Sequence, residues 1–588
     1  MSNVIQNLVM PNLAFGVPDE MYVRLANDSV HALMSEGRLL FEIGGRASFD
    51  TFFNSVTIGT WKSHTSVANL QLNLRGVGRF IVRLGLHRIG HASRWLSEQV
   101  VSLTLDQALI IEVENWSKLE SGMLYFALEA LESGCLHSGH FATRTVPHRN
   151  VKLGIVITHF NRKQWVLPAI ARIRKELLSD PLYKDRVELV VVDNSQNISV
   201  EEAQGVTLIS NQNLGGSGGF TRGLLYLKDQ QDFTHCLFMD DDASCEIDSI
   251  RRAISFAAYG NNSDLALSGA LLRELEPFRL WEKGVIFDGT CRPMKSGMDM
   301  RHVHDLLWSE QTEKEPDFGA WWFFMFDISF IKHFPYPFFV RGDDVLFGQL
   351  NHFKIITVNG VACWGDDFAL KAGPLSFYLD VRNHIVQYAF LNKSLLYSFK
   401  KLLGFFANSL FSYNYASARA ITKAISDSLK GPDLYKSNMD MAAIRKDISE
   451  FSDSEKLRPI DRASFDLSYR GLDEGLIRRL MRWSTLNGFL LPSFLLKDIV
   501  IFQHKGFKGS WRSIFLAKRV LYEYEPLGVG YVAEHNKKRF IIELIRFGWV
   551  IAKFLPLYSG LKNSYRNELD SMTSEKFWRD IYSKEGTR

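Results

Sequence analysis

Two nearly continuous apolar runs, separated by a helical segment, constrain the fold of this chain more than any other feature. The runs are residues 151–158 and 187–193, and the segment between them, about 164–178, has helical periodicity. Strands that read as unbroken apolar runs are buried on both faces, as in a parallel sheet covered by crossover helices. We therefore predict a βαβ unit of an α/β domain that begins near residue 151.

Polar residues follow both of these runs, and a third apolar run ends in the same way. The three polar stretches are residues 159–162, 193–195 and 240–242. Ligands of open α/β sheets bind at the carboxyl ends of the strands. The sequence therefore predicts that these stretches share one ligand site.

The third stretch is an acidic triplet, Asp240, Asp241 and Asp242. Three adjacent carboxylates repel one another strongly in a low dielectric, so this arrangement favours a cation nearby. Their oxygens suit Mg²⁺ or Mn²⁺, which one or two carboxylates commonly hold together with a substrate diphosphate. The triplet indicates nucleotide-sugar chemistry, and a solvated acidic turn is the alternative.

The pattern of apolar residues changes twice along the chain. The first part has short segments of period-two alternation, typical of an antiparallel β-sandwich, and the last part has helical periodicity. Trp61, Trp95 and Trp116 in the first part are either core aromatics or a platform on which sugars stack. We predict three domains: a β-sandwich over 1–150, an α/β domain over 151–395 and a helical domain over 396–588.

Composition narrows the class of protein further. The 588 residues are 46% apolar and 23% charged, as in ordinary globular proteins, and a net charge of +4 is too small to predict nucleic-acid binding. The five cysteines are spread without a Cys-x-x-Cys pair, which is typical of reduced thiols in the cytosol. The N-terminus lacks the pattern of a secretory signal, and apolar runs fall short of the ~18 residues that a spanning helix needs. We expect a cytoplasmic protein that does not cross a membrane.

Three further motifs contain residues that could bind a substrate or take part in catalysis. The glycine-rich stretch 213–219 would let the backbone approach a phosphate or a sugar hydroxyl at the start of a helix, or it forms a flexible turn. Trp321 and Trp322 would stack on a sugar, or they pack in the core. Asp343 and Asp344 form a second acidic pair, in which one carboxylate raises the pKa of the other and makes a better base; an exposed turn is the alternative.

In chain order these motifs resemble those of the polymerising galactofuranosyltransferases of the GT-A, family 2 class. The resemblance extends to residues 50–61 and 424–432 and so covers most of the chain. The motifs that carry it are Phe160-Asn161-Arg162, Val-Val-Asp193, Asn213 to Gly219, Met-Asp240-Asp241-Asp242, Trp321-Trp322, Gly342-Asp343-Asp344 and Leu379-Asp-Val-Arg382-Asn383-His384.

The resemblance implies a GT-A fold, with a Rossmann-like mixed sheet, and a role for each motif. Asp240 and Asp242 would bind the Mn²⁺ or Mg²⁺ ion that bridges the diphosphate of UDP, and Asp193 would hold the uridine. Asp344 would be the general base that deprotonates the acceptor hydroxyl, so that in-line displacement inverts the anomeric centre. The acceptor sugar would contact Trp321, Trp322 and Asp343. The remaining donor contacts would come from Phe160, Asn161, Arg162, Asn213, Gly215, Gly216 and Asp241.

The sequence departs from this family at one metal ligand. The family has a histidine after a tryptophan near the end of the catalytic domain, whereas here Trp364 is followed by Gly365. Asp366 is the substitute that we expect, with Asp367 or water as alternatives. The missing histidine keeps open a catalytically silent glycan-binding or assembly subunit, and nothing in the sequence selects galactofuranose over another nucleotide sugar.

Basic residues stand among aromatic ones in the C-terminal region. Near an anionic leaflet each basic residue contributes ~1 kcal/mol, so the region predicts peripheral attachment to the inner membrane and a lipid-linked glycan acceptor. An ordinary solvated helix surface is the alternative, and a homo-oligomer is left open. The basic residues are Arg478, Arg479, Arg482, Lys497, Lys505, Lys508, Arg512, Lys518 and Arg519.

Overall fold

The computed structural model describes residues 2–12, 16–33, 35–311, 313–506 and 509–584. The contacts divide the chain into two compact units, each assembled from three segments. The first unit is Met1–Asn213, Gly219–His333 and Phe347–Gly365, and the second is Leu214–Gly218, Phe334–Leu346 and Asp366–Arg588. The division into three domains at residues 150 and 395 stays a prediction.

The N-terminal part of the first unit is antiparallel, as its alternating pattern indicated. Eleven strands in the described residues form one hydrogen-bonded set, joined through the long strand β7, which pairs with four others. Whether they form the two layers of a sandwich stays a prediction. The strands are β1 Asn3–Asn7, β2 Arg24–Leu25, β3 Val30–Leu33, β4 Arg38–Phe41, β5 Arg46–Ser48, β6 Val56–Thr57, β7 Gln71–His87, β8 Arg94–Leu103, β9 Leu109–Glu112, β10 Met123–Ala130 and β11 Gly134–Thr143, with helix α1 at Ile58–His64.

The three tryptophans of this region do not form a common platform. Trp61 and Trp116 are 0% and 3% exposed, and the indole N–H of Trp116 donates to the Val67 carbonyl at 3.0 Å. Trp95 on β8 is 51% exposed. Two of the three are therefore core residues, which is the alternative that general burial tendencies favour.

The predicted βαβ unit is present as strand, helix and parallel strand. The seven-stranded mixed sheet of the first unit has the order β14-β13-β12-β15-β22-β17-β23, in which β15 and β22 are antiparallel. A four-stranded and a two-stranded sheet accompany it. The strands are β12 Leu153–His159, β13 Val187–Asp193, β14 Thr207–Ser210, β15 His235–Asp240, β16 Ser244–Cys245, β17 Leu265–Ser268, β18 Ala270–Arg273, β19 Leu280–Glu282, β20 Val285–Phe287, β21 Cys291–Pro293, β22 Phe324–Asp327, β23 Lys354–Ile356 and β24 Ala362–Gly365. The helices are α2 Lys163–Ile173, α3 Gly215–Gln230, α4 Ile247–Tyr259, α5 Val303–Ser309 and α6 Asp343–Asn351.

The glycine-rich stretch is the start of helix α3 rather than a flexible turn. A Cβ atom on Gly219 would lie 2.2 Å from Thr158 Cγ2, and one on Gly223 would lie 2.3 Å from Val156 Cγ1. Both distances are far below van der Waals contact, so these glycines let α3 pack closely on β12.

The second unit contains a sheet that the sequence did not indicate. Its five strands in the described residues have the order β25-β29-β28-β27-β26. Short apolar runs do not distinguish a strand from a buried helix segment, and β28 also carries Lys518 and Arg519, which mask its pattern. The strands are β25 Arg458–Pro459, β26 Leu467–Ser468, β27 Lys497–His504, β28 Ala517–Tyr524 and β29 Val529–Glu534.

The helices of the second unit follow the predicted periodicity, and helical structure dominates the C-terminal region. None of the helices in the described ranges is long and apolar enough to span a bilayer. They are α7 Phe368–Lys371, α8 Pro374–Phe390, α9 Leu395–Phe411, α10 Tyr415–Ser428, α11 Asp433–Ser437, α12 Ala442–Phe451, α13 Leu476–Ser484, α14 Lys537–Met572 and α15 Glu575–Ser583.

A buried carboxyl group joins the N-terminal part of the first unit to helix α4. The Tyr22 hydroxyl donates to Glu246 Oε1 at 2.7 Å, and Glu246 directly precedes α4. Burial raises the pKa of Glu246 from 4.5 to about 7, aided by Asp248 and Glu176 and opposed by Tyr22 and Arg172. Ionised Glu246 therefore destabilises the folded state.

We expect Glu246→Gln to stabilise the protein at pH 8 and to have no effect below pH 4.5. Above pH 7 the folded protein carries the buried charge, and a difference of about 2.5 pKa units corresponds to a cost of about 3 kcal/mol. Below 4.5 the carboxyl is protonated in both the folded and the unfolded state, and the cost disappears. The urea midpoint of unfolding at the two pH values measures this effect, and an equal midpoint shift at both would contradict it.

Candidate active site

The structure brings the polar ends of three strands to one edge of the mixed sheet. In the parallel register His159 on β12 pairs with Asp193 on β13, and Thr158 pairs with Asp240 on β15. The residues that follow these strands therefore lie side by side in the first unit, as the sequence indicated.

Asp193 organises the loop after β13. Its Oδ1 accepts hydrogen bonds from the Ser195 hydroxyl and from the backbone N–H groups of Ser195 and Gln196, at 2.8, 2.9 and 2.9 Å. Its Oδ2 accepts from the backbone N–H groups of Asn197 and Ile198, both at 2.8 Å. Burial raises the pKa of Asp193, but these hydrogen bonds outweigh it and hold the pKa below 3.8. With both oxygens engaged, Asp193 shapes the loop, and direct contact with a uridine stays a proposal.

Within the acidic triplet, Asp241 and Asp242 both pair with one arginine. Arg162 Nη1 donates to Asp241 Oδ1 at 3.1 Å and to Asp242 Oδ2. Burial lowers the pKa of Arg162, but the carboxylates of the triplet outweigh it and raise the pKa above its ordinary value. The predicted repulsion within the triplet is thus relieved by a cationic side chain that the sequence placed among the donor contacts.

A buried histidine that sequence reasoning passed over connects the triplet to the Asp193 loop. His159 is fully buried, with Nδ1 at 3.2 Å from Asp241 Oδ2 and Nε2 at 3.0 Å from Asn197 Oδ1. Burial lowers the pKa of His159, but the hydrogen bonds to Asp241 and Asn197 raise it above 6.5. Both ring nitrogens face oxygen acceptors, so the arrangement favours the doubly protonated imidazolium. The position of His159 at a strand end was the sequence signal that could have identified it.

We expect His159→Phe to weaken UDP binding by about tenfold, because Asp241 would lose a buried hydrogen-bond donor. His159→Asn should recover most of the loss, since its Nδ2 can replace the ring Nδ1 as a donor to Asp241. Calorimetric titration with UDP measures the affinity, and the thermal midpoint of unfolding shows whether the variant is merely destabilised. Equal affinity of the Phe variant and the native protein would contradict the role of His159.

Two further residues among the predicted donor contacts, Phe160 and Asn161, are hydrogen-bonded to this group. The Phe160 backbone N–H donates to Asp241 Oδ2 at 3.2 Å, while its ring is exposed. Asn161 adopts a positive φ of 55°, which asparagine tolerates, and its N–H donates to the Ser195 hydroxyl at 3.0 Å. Asn213 is half-buried, two residues before α3.

The two tryptophans differ in their surroundings. Trp321 is buried, and its ring packs edge-on against Phe220, Phe238 and Phe347 with centroids 5.1–5.6 Å apart. Its faces therefore belong to the core, but its indole N–H is buried and hydrogen-bonds to none of the described residues. Trp322 is half-buried. Trp322 is thus the better candidate for stacking, whereas Trp321 offers a donor.

In the second unit, the first glycines of α3 lie against the segment that leads into α6. Gly215 has a φ of +70°, and a Cβ atom there would lie 2.1 Å from the Phe339 carbonyl oxygen, so only glycine fits. A Cβ atom on Gly216 would lie 3.3 Å from Asp343 Oδ2, and the Ser217 hydroxyl donates to that oxygen at 3.1 Å. The start of α3 and the second acidic pair therefore form one group.

The raised pKa expected for the acidic pair falls on Asp343. Burial raises its pKa from 3.8 to about 6, and hydrogen bonds from Ser217 and from backbone groups oppose this. Burial rather than a neighbouring carboxylate is therefore the main cause. Asp344 is half-buried at the start of α6, and its Oδ1 accepts from the Val345 N–H at 2.8 Å.

Helix α8 holds the segment before this pair in a strained conformation. Phe339, Arg341 and Gly342 have φ angles of 76°, 70° and 81°, which cost free energy at the two residues other than glycine. Side chains of α8 donate to the backbone carbonyls of the segment: Arg382 to Phe338, Asn383 to Val340 at 3.1 Å and to Arg341 at 2.6 Å, and Gln387 to Gly342 at 2.9 Å. The motif around Arg382 was noticed in the sequence, but its positioning role required the structure.

The residues that the sequence proposed as metal ligands are all aspartates. The described ranges contain no group of three or more His, Cys, Asp or Glu side chains arranged to hold a metal ion. Asp366 is half-buried in the second unit, and Asp367 caps α7 by accepting from the Ala369 N–H at 3.0 Å. The third ligand stays a prediction.

Comparison with known proteins gives the class. Residues 154–284 match the family model Glycosyl transferase family 2. Galactofuranosyltransferase GlfT2 of Mycolicibacterium smegmatis is 24% identical over 480 residues, which are 74% of this chain and 72% of that protein. Galactofuranosyltransferase GlfT2 of Mycobacterium tuberculosis is 22% identical over 451 residues, 70% of each. A crystal structure of glucosyl-3-phosphoglycerate synthase from Mycobacterium tuberculosis is 13% identical over 42% of this chain and 81% of that chain, with a TM-score of 0.28.

The family 2 match contains the acidic triplet, Arg162 and Asp193, so this protein is a glycosyltransferase. Within that class, residues 154–284 match family 2 and the chain is similar to galactofuranosyltransferases, as its motifs predicted.

Proposed function

We propose that this glycosyltransferase transfers galactofuranose from UDP-galactofuranose to a growing cell-surface glycan with inversion of the anomeric centre. The similarity to two galactofuranosyltransferases over about 70% of the chain supports the choice of sugar. The observation that carries the donor side is the buried group at the strand ends, in which His159 and Arg162 hold Asp241.

Asp240 and Asp242 have the chemistry to hold a divalent cation. Mg²⁺ and Mn²⁺ take oxygen ligands, and one or two carboxylates suffice when the substrate phosphates supply further oxygens. When bound there, such an ion would neutralise the charge that develops on the departing diphosphate. Arg162 adds a positive charge at the same place, paired with Asp241 and Asp242.

Asp344 is proposed as the base on the acceptor side. A carboxylate that takes the proton of the acceptor hydroxyl increases its nucleophilicity, and attack opposite the leaving group inverts the anomeric centre. Arg382, Asn383 and Gln387 of α8 would position Asp344 by holding the segment that precedes it. Asp343 and the half-buried Trp322 would contact the acceptor sugar.

A panel of nucleotide sugars tests the proposal. With Mn²⁺ or Mg²⁺ and a galactan-like acceptor, we expect UDP release and chain extension from UDP-galactofuranose and little of either from UDP-galactopyranose or UDP-glucose. Chain extension with another nucleotide sugar would support the proposed glycosyltransferase activity but would show that the donor is not UDP-galactofuranose. UDP release at background level from every donor would favour a silent glycan-binding or assembly subunit.

We further propose that helix α13 attaches the protein to the cytoplasmic face of the inner membrane, where a lipid-linked acceptor would lie. Leu476, Ile477 and Leu480 on this helix are 60–76% exposed, and beside them Arg479 is exposed and Arg478 is half-buried. Exposed apolar side chains among basic ones favour an anionic lipid surface.

Two of the basic residues on which the membrane prediction was based are buried and bond to other residues of the protein, so they do not face a membrane. Arg482 is buried and donates to both carboxylate oxygens of Glu474, at 2.7 and 2.8 Å. Lys505 is buried and donates to the Ala372 carbonyl. Lys508 lies outside the described residues.

We expect the double variant Ile477→Glu/Leu480→Glu to lose binding to vesicles that contain anionic lipid. Burial of apolar side chains at the headgroup boundary drives such binding, and two carboxylates would oppose it. Vesicle co-sedimentation measures the bound fraction. The matched control is Leu527→Glu, an exposed leucine on the β28–β29 connection, and equal binding of both variants would contradict the proposal.

A further inference from the structure

A cavity of about 470 Å³ opens in the first unit, between the β7–β8 connection and helix α5. Its volume lies in the range of small-ligand sites, roughly 300–1,000 Å³. Trp308 of α5, whose side chain is 37% exposed, lines it together with Arg88, His91 and His304. None of the described residues that line it is acidic.

Three of the polar side chains at this cavity are uncommitted. The guanidinium of Arg88, the imidazole of His91 and the indole N–H of Trp308 hydrogen-bond to none of the described residues. Among the aromatic rings of the described residues, that of His304 lies near the Trp308 ring, at 6.1 Å between centroids. Hydrogen-bond donors with no partner inside the protein are available to a ligand.

On the opposite wall of the cavity, the side chain of His87 is fixed by hydrogen bonds and by ring stacking. His87 at the end of β7 contacts Asp50 Oδ2 through Nε2 at 3.1 Å and the Ser93 hydroxyl through Nδ1 at 2.6 Å. Its ring stacks on Tyr125 with centroids 4.3 Å apart and planes 6° apart. The cavity thus combines a fixed wall with free donors and an exposed aromatic face, so it is preorganised for a ligand.

We propose that this cavity is a second glycan-binding site, which holds saccharide units of the acceptor chain other than the unit that reacts. The face of an indole ring stacks on the C–H face of a sugar, and Arg and His side chains donate to its hydroxyl oxygens. The lack of acidic lining residues disfavours a cationic ligand. The proposal rests on the proposed function, because that function supplies the glycan.

Direct binding of galactofuranose oligosaccharides in the absence of any nucleotide sugar tests the site. We expect Trp308→Ala and Arg88→Ala each to weaken binding of a long oligosaccharide by about tenfold and Trp308→Phe to keep most of it. The control is Trp549→Ala, which removes a tryptophan that is 66% exposed on helix α14, outside the cavity, and should leave affinity unchanged. Trp308 is partly exposed, so its variants should fold, and the thermal midpoint checks this.

Transfer kinetics separate this proposal from the proposed function. In Trp308→Ala we expect the KM for long acceptors to rise while the KM for a disaccharide and kcat stay unchanged. Loss of binding in Trp308→Ala without any transfer by the native protein would support the site and overturn the proposed function. Equal oligosaccharide affinity of Trp308→Ala and the native protein, or displacement of the oligosaccharide by inorganic phosphate alone, would overturn the site.

Discussion

Replacement of Asp344 by asparagine is expected to lower the rate of sugar transfer by about 10²- to 10⁴-fold, the usual contribution of a general base. Asparagine keeps the size of the side chain and the oxygen that accepts from the Val345 N–H, so α6 should begin as before. Only the ability to take a proton from the acceptor is lost. Single-turnover transfer measures the rate, and calorimetric titration with UDP should show unchanged donor affinity.

The matched control is Asp433→Asn, an exposed aspartate at the start of α11 in the same unit. It carries the same chemical change away from the proposed site and should leave transfer unaffected. A transfer rate of Asp344→Asn equal to that of the native protein would remove the general base from the mechanism. A loss of UDP affinity would instead indicate that Asp344 takes part in binding the donor.

Replacement of Asp242 by asparagine is expected to weaken metal-dependent UDP binding by about hundredfold or more, because a neutral amide is a far poorer ligand for Mn²⁺ than a carboxylate. Arg162 would keep its partner Asp241, so the local fold should persist. Titration with UDP in the presence of Mn²⁺ and in the presence of a chelator separates the two contributions. We expect the native protein and the variant to differ only when the metal is present.

Asp232→Asn provides the control for this variant, since Asp232 is an exposed aspartate of the first unit that pairs with Lys152. Its UDP affinity should match that of the native protein with and without the metal. If Asp242→Asn bound UDP and Mn²⁺ as tightly as the native protein, the acidic triplet would not be the metal site.

The elements with strong local patterns could be predicted from the sequence. The apolar runs before His159 and Asp193 became parallel neighbours because strands buried on both faces need an apolar side chain at nearly every position. The five-stranded sheet of the second unit was missed because the apolar runs of its strands are short and are interrupted by charged residues. The role of the glycines was only partly predictable, since a sequence does not show that Gly219 lies against Thr158.

The residues of the candidate site were likewise partly predictable from the sequence. The acidic residues Asp240, Asp241 and Asp242 were evident from residue type and position. What holds them was not, because His159 and Arg162 act through contacts that join residues about eighty positions apart. Burial, which raises the pKa of Asp343, likewise depends on neighbours that no local pattern specifies.

By itself the sequence determined the class of fold, the order of the motifs and the carboxylates available for chemistry, because these follow from local periodicity and residue type. Only the tertiary structure decided which carboxylates pair with cationic side chains, which tryptophans are core residues and where free donors line a cavity. The reason is physical: charge, hydrogen bonding and burial depend on distances between segments far apart in the chain, and folding sets those distances.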